Sequence, residues 1–390
     1  MMGKQIKPNI KTKHILDSSN QFYQDLLGYK PEQTSLKSIS ENQWNEFAQI
    51  RGLNPNSSGI YLPRNQTAVI QEQNPLSLFH EYFGHGLYCE QSSTGRKLVD
   101  LEKKLLEEEK EEFCKGKFNL EDVQKFRERS KTFQELNKFR KQNLLQYETF
   151  AIWTEYLLSE EQRLNDLFGR KYASFSGQEK EAVDSAINFS EQYGNLATFY
   201  ASGLARRTTP ERVNILLRDL YKDKLQDVNF ALLYGSRKDF SDIDVFIVGS
   251  GTPNEAHSDW LDVKYKSHKE FKKGLRNFDV RIMTPLINGK LIFGNKHYFE
   301  QAKQQVLSQP VTEEAIKHNL KWSFRMQRLR DENSQDNFLR NKFEGYSQTY
   351  LANASALRQG LRLFKKEDLF SYFQQEKIIE LKGGTEKNAT

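Results

Sequence analysis

Strand-length apolar runs crowd into one stretch of this chain, between Val228 and Phe293, while most of the sequence on either side repeats with the spacing of helices. Strands bury side chains in runs or in alternation, helices at every third and fourth position, so the two patterns belong to different layers. The chain has 390 residues, beyond the roughly 250–300 at which one core stops growing. The expected architecture is therefore multidomain: α, then α/β, then α again.

Residues 1–19 read as a flexible basic arm and 20–50 as short helices. Gly59–Pro63 and Thr67–Ile70 read as a strand pair, and Asn74-Pro75 as the cap and first residue of a helix. Residues 97–115 and 119–146 carry Glu and Lys at helical spacing and read as a solvated helical hairpin. Further helix is expected over Tyr147–Ser159 and 178–205. These stretches make a domain over 20–205. A second domain spans 206–300, with strands at Val228–Tyr234, Asp242–Val248, Trp260–Tyr265, Val280–Met283 and Lys290–Phe293. Within it Ser267 opens a helix through a capping box. Helix fills 305–380, and 381–390 reads as a disordered tail.

Composition excludes some classes. No apolar run approaches the roughly 18–20 residues that cross a bilayer. The basic start has no apolar segment behind it, so it does not read as a secretory signal. Two cysteines, Cys89 and Cys114, make no disulfide framework and suit a reducing, cytoplasmic setting. The 27 Phe and 17 Tyr supply core volume. A net charge of +6 permits a polyanionic partner without requiring one.

His80-Glu81-Tyr82-Phe83-Gly84-His85 places two imidazoles and a carboxylate in six residues. Neutral imidazoles bind zinc, and an adjacent carboxylate can serve as base toward a zinc-bound water. Histidines four apart on a helix diverge by about 40°, whereas five apart diverge by about 140°. The spacing therefore predicts an inserted residue, a π-bulge at or near Gly84, that restores convergence. The segment resembles the His-Glu-x-x-Gly-His helix of dipeptidyl peptidase III, a zinc exopeptidase, and the resemblance covers little beyond this helix. It implies a mainly helical, gluzincin-like domain in which His80 and His85 bind zinc and Glu81 is the general base. Glu148-Thr149-Phe150-Ala151-Ile152-Trp153-Thr154-Glu155 is similar to the Glu-x-x-Ala-x-x-x-Glu helix of zinc peptidases with a glutamate ligand. That likeness implies Glu148 as third ligand and Glu155 as partner of a ligand histidine, with Glu155 and Glu90 as alternatives for the ligand. Tyr193 and Tyr200 are candidates for steadying an oxyanion.

In the second domain, a strand ending at Tyr234 delivers Gly235, Ser236, Arg237 and Lys238 to a turn, and Asp242 and Asp244 follow two apart on the next strand. Amides at such a turn suit phosphate, and carboxylates two apart on a strand face one side, where they suit magnesium. The pattern resembles the Gly-Ser…Asp-x-Asp signature of polymerase-beta-like nucleotidyltransferases, closest to small kanamycin-nucleotidyltransferase-like and antitoxin proteins. Its Gly-Ser-to-Asp gap is a few residues shorter than theirs. The resemblance implies a small mixed sheet, nucleoside triphosphate as substrate, Mg2+ on Asp242 and Asp244, and a third carboxylate at Asp262, with Asp279 as its alternative. The acceptor would be a hydroxyl of protein, RNA or a small molecule.

Lys317, Lys321, Arg325 and Arg328 share a helix face, read as solvated, with RNA or a triphosphate tail as its functional alternative. Trp322 and Phe324 read as core. The combined expectation is a zinc peptidase fused to a nucleotidyltransferase with a helical companion and no membrane partner. Two rivals stand beside it. In one, the transferase carries a structural or recruiting zinc domain. In the other, the chain is a regulatory binding protein of a toxin–antitoxin or defence system.

Overall fold

The computed structural model describes residues 10–54, 57–113, 120–235, 242–250, 256–258, 260–365 and 367–374. These form two compact units, one through Arg212 and the other from Val213 onward. Helix predominates in both, and each contains one small mixed sheet.

The first unit holds strands β1 (Ser35–Ile39), β2 (Gly59–Leu62) and β3 (Thr67–Gln71) in the order β1-β3-β2. β1 runs parallel and β2 antiparallel to β3. The expected pair is thus β2 and β3, and β1 is an addition where short helix was expected. Its five residues have little pattern of their own and gain their pairing from β3. Residues 10–19 are not an arm. They begin a helix over Ile10–Leu27 whose Ser19, Tyr23 and Leu27 are buried, a stripe at helical spacing that the lysines obscure. Residues 1–9, Cys114 and the expected tail lie outside the described residues.

Ser93–Phe113 and the 31-residue helix Lys131–Glu161 form the expected hairpin arms. One face is not solvated: Leu98, Val99, Leu101 and Leu105 are buried. Beyond Thr149 the long helix enters the core, where Phe199 meets Phe150 and Trp153 edge to face and Tyr23 stacks on Phe83 at 5.2 Å. Each such aromatic buries roughly 150–250 Å², which is how a chain of modest aliphatic content fills this core.

The second unit holds β4 (Val228–Tyr234), β5 (Ile243–Gly249), β6 (Ala256–His257), β7 (Leu261–Ser267) and β8 (Lys290–Gly294), ordered β6-β7-β5-β4-β8. β5 and β7 are parallel, and the other pairs are antiparallel. Val280–Met283, expected as a strand, is the start of the helix Val280–Asn288. Asp279 caps it, and Ile282, Met283 and Leu286 are buried on one face, so packing overrides the β-branched run. Gly289 follows the end of this helix, and β8 pairs with β4. The C-terminal helix is broken at 333–336 into Glu313–Glu332 and Asn337–Arg358. No helix among the described residues is long and apolar enough to cross a membrane.

Candidate metal and carboxylate sites

Asn74 caps Pro75–Ser77, and the helix then winds as a π-helix over Leu78–His85 before returning to α at Gly86. The extra residue per turn places the rings of His80 and His85 4.6 Å apart, nearly perpendicular. Gly84 serves this segment by its size. A Cβ there would lie 2.7 Å from Ala151 Cα and 2.8 Å from Ala151 Cβ, so the π-helix and the long helix touch backbone to backbone.

That contact brings Glu148, three residues before Ala151, over the histidines. Glu148 Oε2 lies 3.4 Å from His80 Nε2 and 3.7 Å from His85 Nε2. Donors about 2.0–2.1 Å from a tetrahedral ion stand about 3.3–3.4 Å apart, and Glu148 Oε2 lies close to that spacing from each imidazole. Glu81 joins the cluster, with donor atoms of His80, Glu81 and His85 all within 4.8 Å of one another. Two imidazoles and carboxylates fit zinc chemically as well.

Glu155, two turns beyond Glu148 and fully buried, bonds His80 Nδ1 at 2.5 Å and receives Lys171 Nζ at 2.6 and 2.8 Å. It fixes the His80 ring with Nε2 toward Glu148. His85 is held by stacking on Tyr147, with centroids 3.8 Å apart, and its Nδ1 is buried without a hydrogen-bond partner among the described residues. Burial pulls His80 down, but Glu155 and Glu148 outweigh it and carry the imidazole up to about 10. Burial and the neighbouring His80 push His85 down to about 3. Glu148 sits at about 2: burial opposes its ionisation, and the two histidines overcome that. Glu81 is raised to about 7, chiefly by burial. Lys171 offsets the charge of Glu155, and a proton on His80 or a metal would offset that of Glu148.

Glu90 is not near this centre. Its carboxylate accepts from the backbone amides of Glu32, Gln33 and Thr34 at 2.7–2.9 Å and holds the approach to β1. Tyr200 bonds Thr208 at 2.5 Å, and Tyr193 packs on Phe189; neither contacts the histidines among the described residues. Lys171, Tyr61 and Gly59 escaped notice in the sequence. Tyr61 lies 6.3 Å from His85, centroid to centroid, and a Cβ on Gly59 would meet Glu81 Cγ at 2.8 Å, so edge strand β2 abuts the acid.

In the second unit Asp244 and Asp262 are register partners on β5 and β7, and with Asp242 their oxygens gather within 4.8 Å. Three hard oxygen donors suit a divalent cation such as magnesium. Burial raises Asp244 to about 6, with Asp242 and Asp262 adding to it against the opposing pull of Lys264. Lys264, unremarked in the sequence, lies 2.7 Å from Asp262, 3.8 Å from Asp244 and 2.9 Å from the Tyr234 hydroxyl, so a cation would share the carboxylates with it. Gly235 has φ +88°, and a Cβ there would meet Asp244 Oδ2 at 2.0 Å; only glycine closes that strand end. Ser236, Arg237 and Lys238 lie outside the described residues.

Asp279 belongs elsewhere. Its buried carboxylate binds Arg281 at 2.7 and 3.1 Å, and His318 Nε2 and the Tyr350 hydroxyl each lie 3.2 Å away. Burial raises it, but His318 and Arg281 prevail and hold it well below the usual carboxylate range. A depressed carboxylate stabilises the fold fully above its unfolded pKa, about 3.9, and loses that contribution as pH falls toward the folded value. Asp279→Asn is expected to cost about 1–3 kcal/mol at neutral pH, toward the lower end because the Arg281 side chain is 43% exposed. It should also flatten the loss of stability below about pH 4. Urea titrations across that range test this, and identical acid limbs for the two proteins would refute it.

Lys317, Lys321, Arg325 and Arg328 are exposed, as a solvated face requires. Trp322 and Phe324 are not core. Phe324 is 64% exposed, and Trp322, under the Arg281 guanidinium at 3.9 Å and stacked with Tyr350, helps line a cavity of about 670 Å³ that reaches Tyr234, Asp244 and Lys264. No family model matches this chain, and no curated protein matches it.

Proposed function

We propose that the first unit is a zinc-dependent hydrolase of peptides and the second a magnesium-dependent nucleotidyltransferase. The observation that carries the first reading is the π-helix, which sets His80 Nε2 and His85 Nε2 at 3.4 and 3.7 Å from one oxygen of Glu148. Those three side chains would hold zinc, which supplies Lewis acidity and brings the pKa of bound water to about 7. Glu81 stands beside them without being needed as a ligand. Buried beside the histidines, its carboxylate would take a proton from the water and return it to the leaving amine. A purely structural zinc needs no such acid, which favours hydrolysis. β2 is an edge strand beside Glu81, and an extended peptide would add to it as a further strand.

In the second unit Asp242, Asp244 and Asp262 would hold magnesium, and the adjoining cavity has room for a nucleotide. Lys264 favours a second reading for this unit alone. Its ammonium already offsets the carboxylates, as in a regulatory binding protein that has given up its metal.

The test is elemental analysis of the purified chain, paired with calorimetry against ATP, GTP, CTP and UTP in magnesium. About one zinc per chain, lost in His85→Ala, is expected; a chain that binds no zinc when supplied with it removes the hydrolase reading. Triphosphate binding lost in Asp244→Asn supports the transferase, and no binding of any triphosphate supports the regulatory reading.

A further inference from the structure

Beside β2 and the turn that follows it lies a cavity of about 510 Å³ whose lining includes none of His80, Glu81, His85 and Glu148. Its wall includes the backbone run Ile60–Asn65, Tyr61 among them, and three guanidiniums, those of Arg51, Arg64 and Arg140. Three elements supply these arginines: the last turn of Glu41–Arg51, the turn Pro63–Asn65 and the long helix. One carboxylate, Glu102, faces them. It is 4% exposed and is held by Arg140 and, at 3.6 Å, by Arg64. Glu109 takes up part of Arg64 at 2.9 Å. Arg51 has no carboxylate partner among the described residues and lies over Phe47. The cavity therefore keeps a positive excess, and its exposed Arg51 guanidinium has the planar fork that binds a carboxylate bidentately.

The position of this excess is informative. Gly59 abuts Glu81, and Tyr61 abuts His85, so the same strand that passes the candidate catalytic acid leads into the arginine cavity. At about 3.3 Å per residue, a chain paired along β2 from Gly59 reaches the level of Arg64 about three to five residues from the cleaved bond. We propose that Arg51, Arg64 and Arg140 select a substrate peptide bearing a carboxylate about three to five residues from the scissile bond, either an acidic side chain or the chain's own C-terminus. This specificity rests on the hydrolase reading above, but the binding it requires does not need turnover.

The probes are alanine-rich decapeptides with one Glu, Gln or Lys moved through the sequence, each with a free and an amidated C-terminus. With zinc-loaded full-length chain, kcat/KM is expected to be at least about tenfold higher for Glu than for Gln at one position, or for free than for amidated termini. The first outcome assigns a side chain and the second a terminus. Arg51→Gln leaves Glu102 its partners and should bring that ratio down about tenfold, toward one. Equal rates for Glu, Gln, free and amidated peptides would overturn the proposal while leaving the hydrolase reading intact. Calorimetry of the same peptides on Glu81→Gln separates the opposite case. Glu-dependent binding that Arg51→Gln removes, in a chain that cleaves nothing, would keep the carboxylate site and sink the hydrolase. No binding and no cleavage would sink both.

Discussion

Glu81→Gln is expected to lower peptide hydrolysis by about 10²–10⁴-fold while zinc remains bound. The substitution keeps the size and shape of the side chain, which is buried and packed against Gly59, so the fold should survive it. It removes the carboxylate that would accept the proton in the proposed reaction. The donors at the heart of the ligand set, His80, His85 and Glu148, are untouched. Hydrolysis of a quenched peptide and zinc content should be measured on the same preparation. Undiminished hydrolysis would remove the base assignment, and loss of zinc with activity would make Glu81 a ligand.

Glu155→Ala should weaken zinc binding by about 10–100-fold without touching a proposed ligand. Glu155 receives Lys171 and fixes His80 through Nδ1, so its removal frees the ring to turn and leaves Lys171 unpaired. Breaking a buried pair in this way typically costs about 3–5 kcal/mol; here the cost should be at the lower end, since the Lys171 side chain is 38% exposed and water can recover it. A double-mutant cycle with Lys171→Met separates the two effects. Part of the stability should return in the double variant, whereas the zinc affinity should not. Zinc competition against a chelator and denaturant melts read these quantities, and unchanged affinity in Glu155→Ala would dismiss the positioning role.

The helix spacing made the first cluster legible. Histidines five apart are incompatible with a common ligand on a regular α-helix, and the π-helix over Leu78–His85 follows from that conflict. Glu148 and Glu155, seven apart, share a helix face that periodicity reveals. Lys171, sixteen residues further on, and Gly59 reach the cluster only through tertiary packing, which no local pattern encodes. The apolar runs located β4, β5, β7 and β8, yet the run at Val280 became helix because Asp279 caps it and its neighbours bury one side. β1 was invisible for the converse reason, since five weakly patterned residues are strand only beside β3. Lys264 is two residues from Asp262 on one strand, so its place among the carboxylates follows from alternation once β7 is recognised.

The contact between Gly84 and Ala151 makes the ligand geometry depend on two residues that carry no chemistry. Each methyl group added at either position would wedge the two helices apart and carry Glu148 away from both imidazoles together. The distance of Glu148 from the two imidazoles is thus gauged by the thickness of bare backbone where Gly84 meets Ala151.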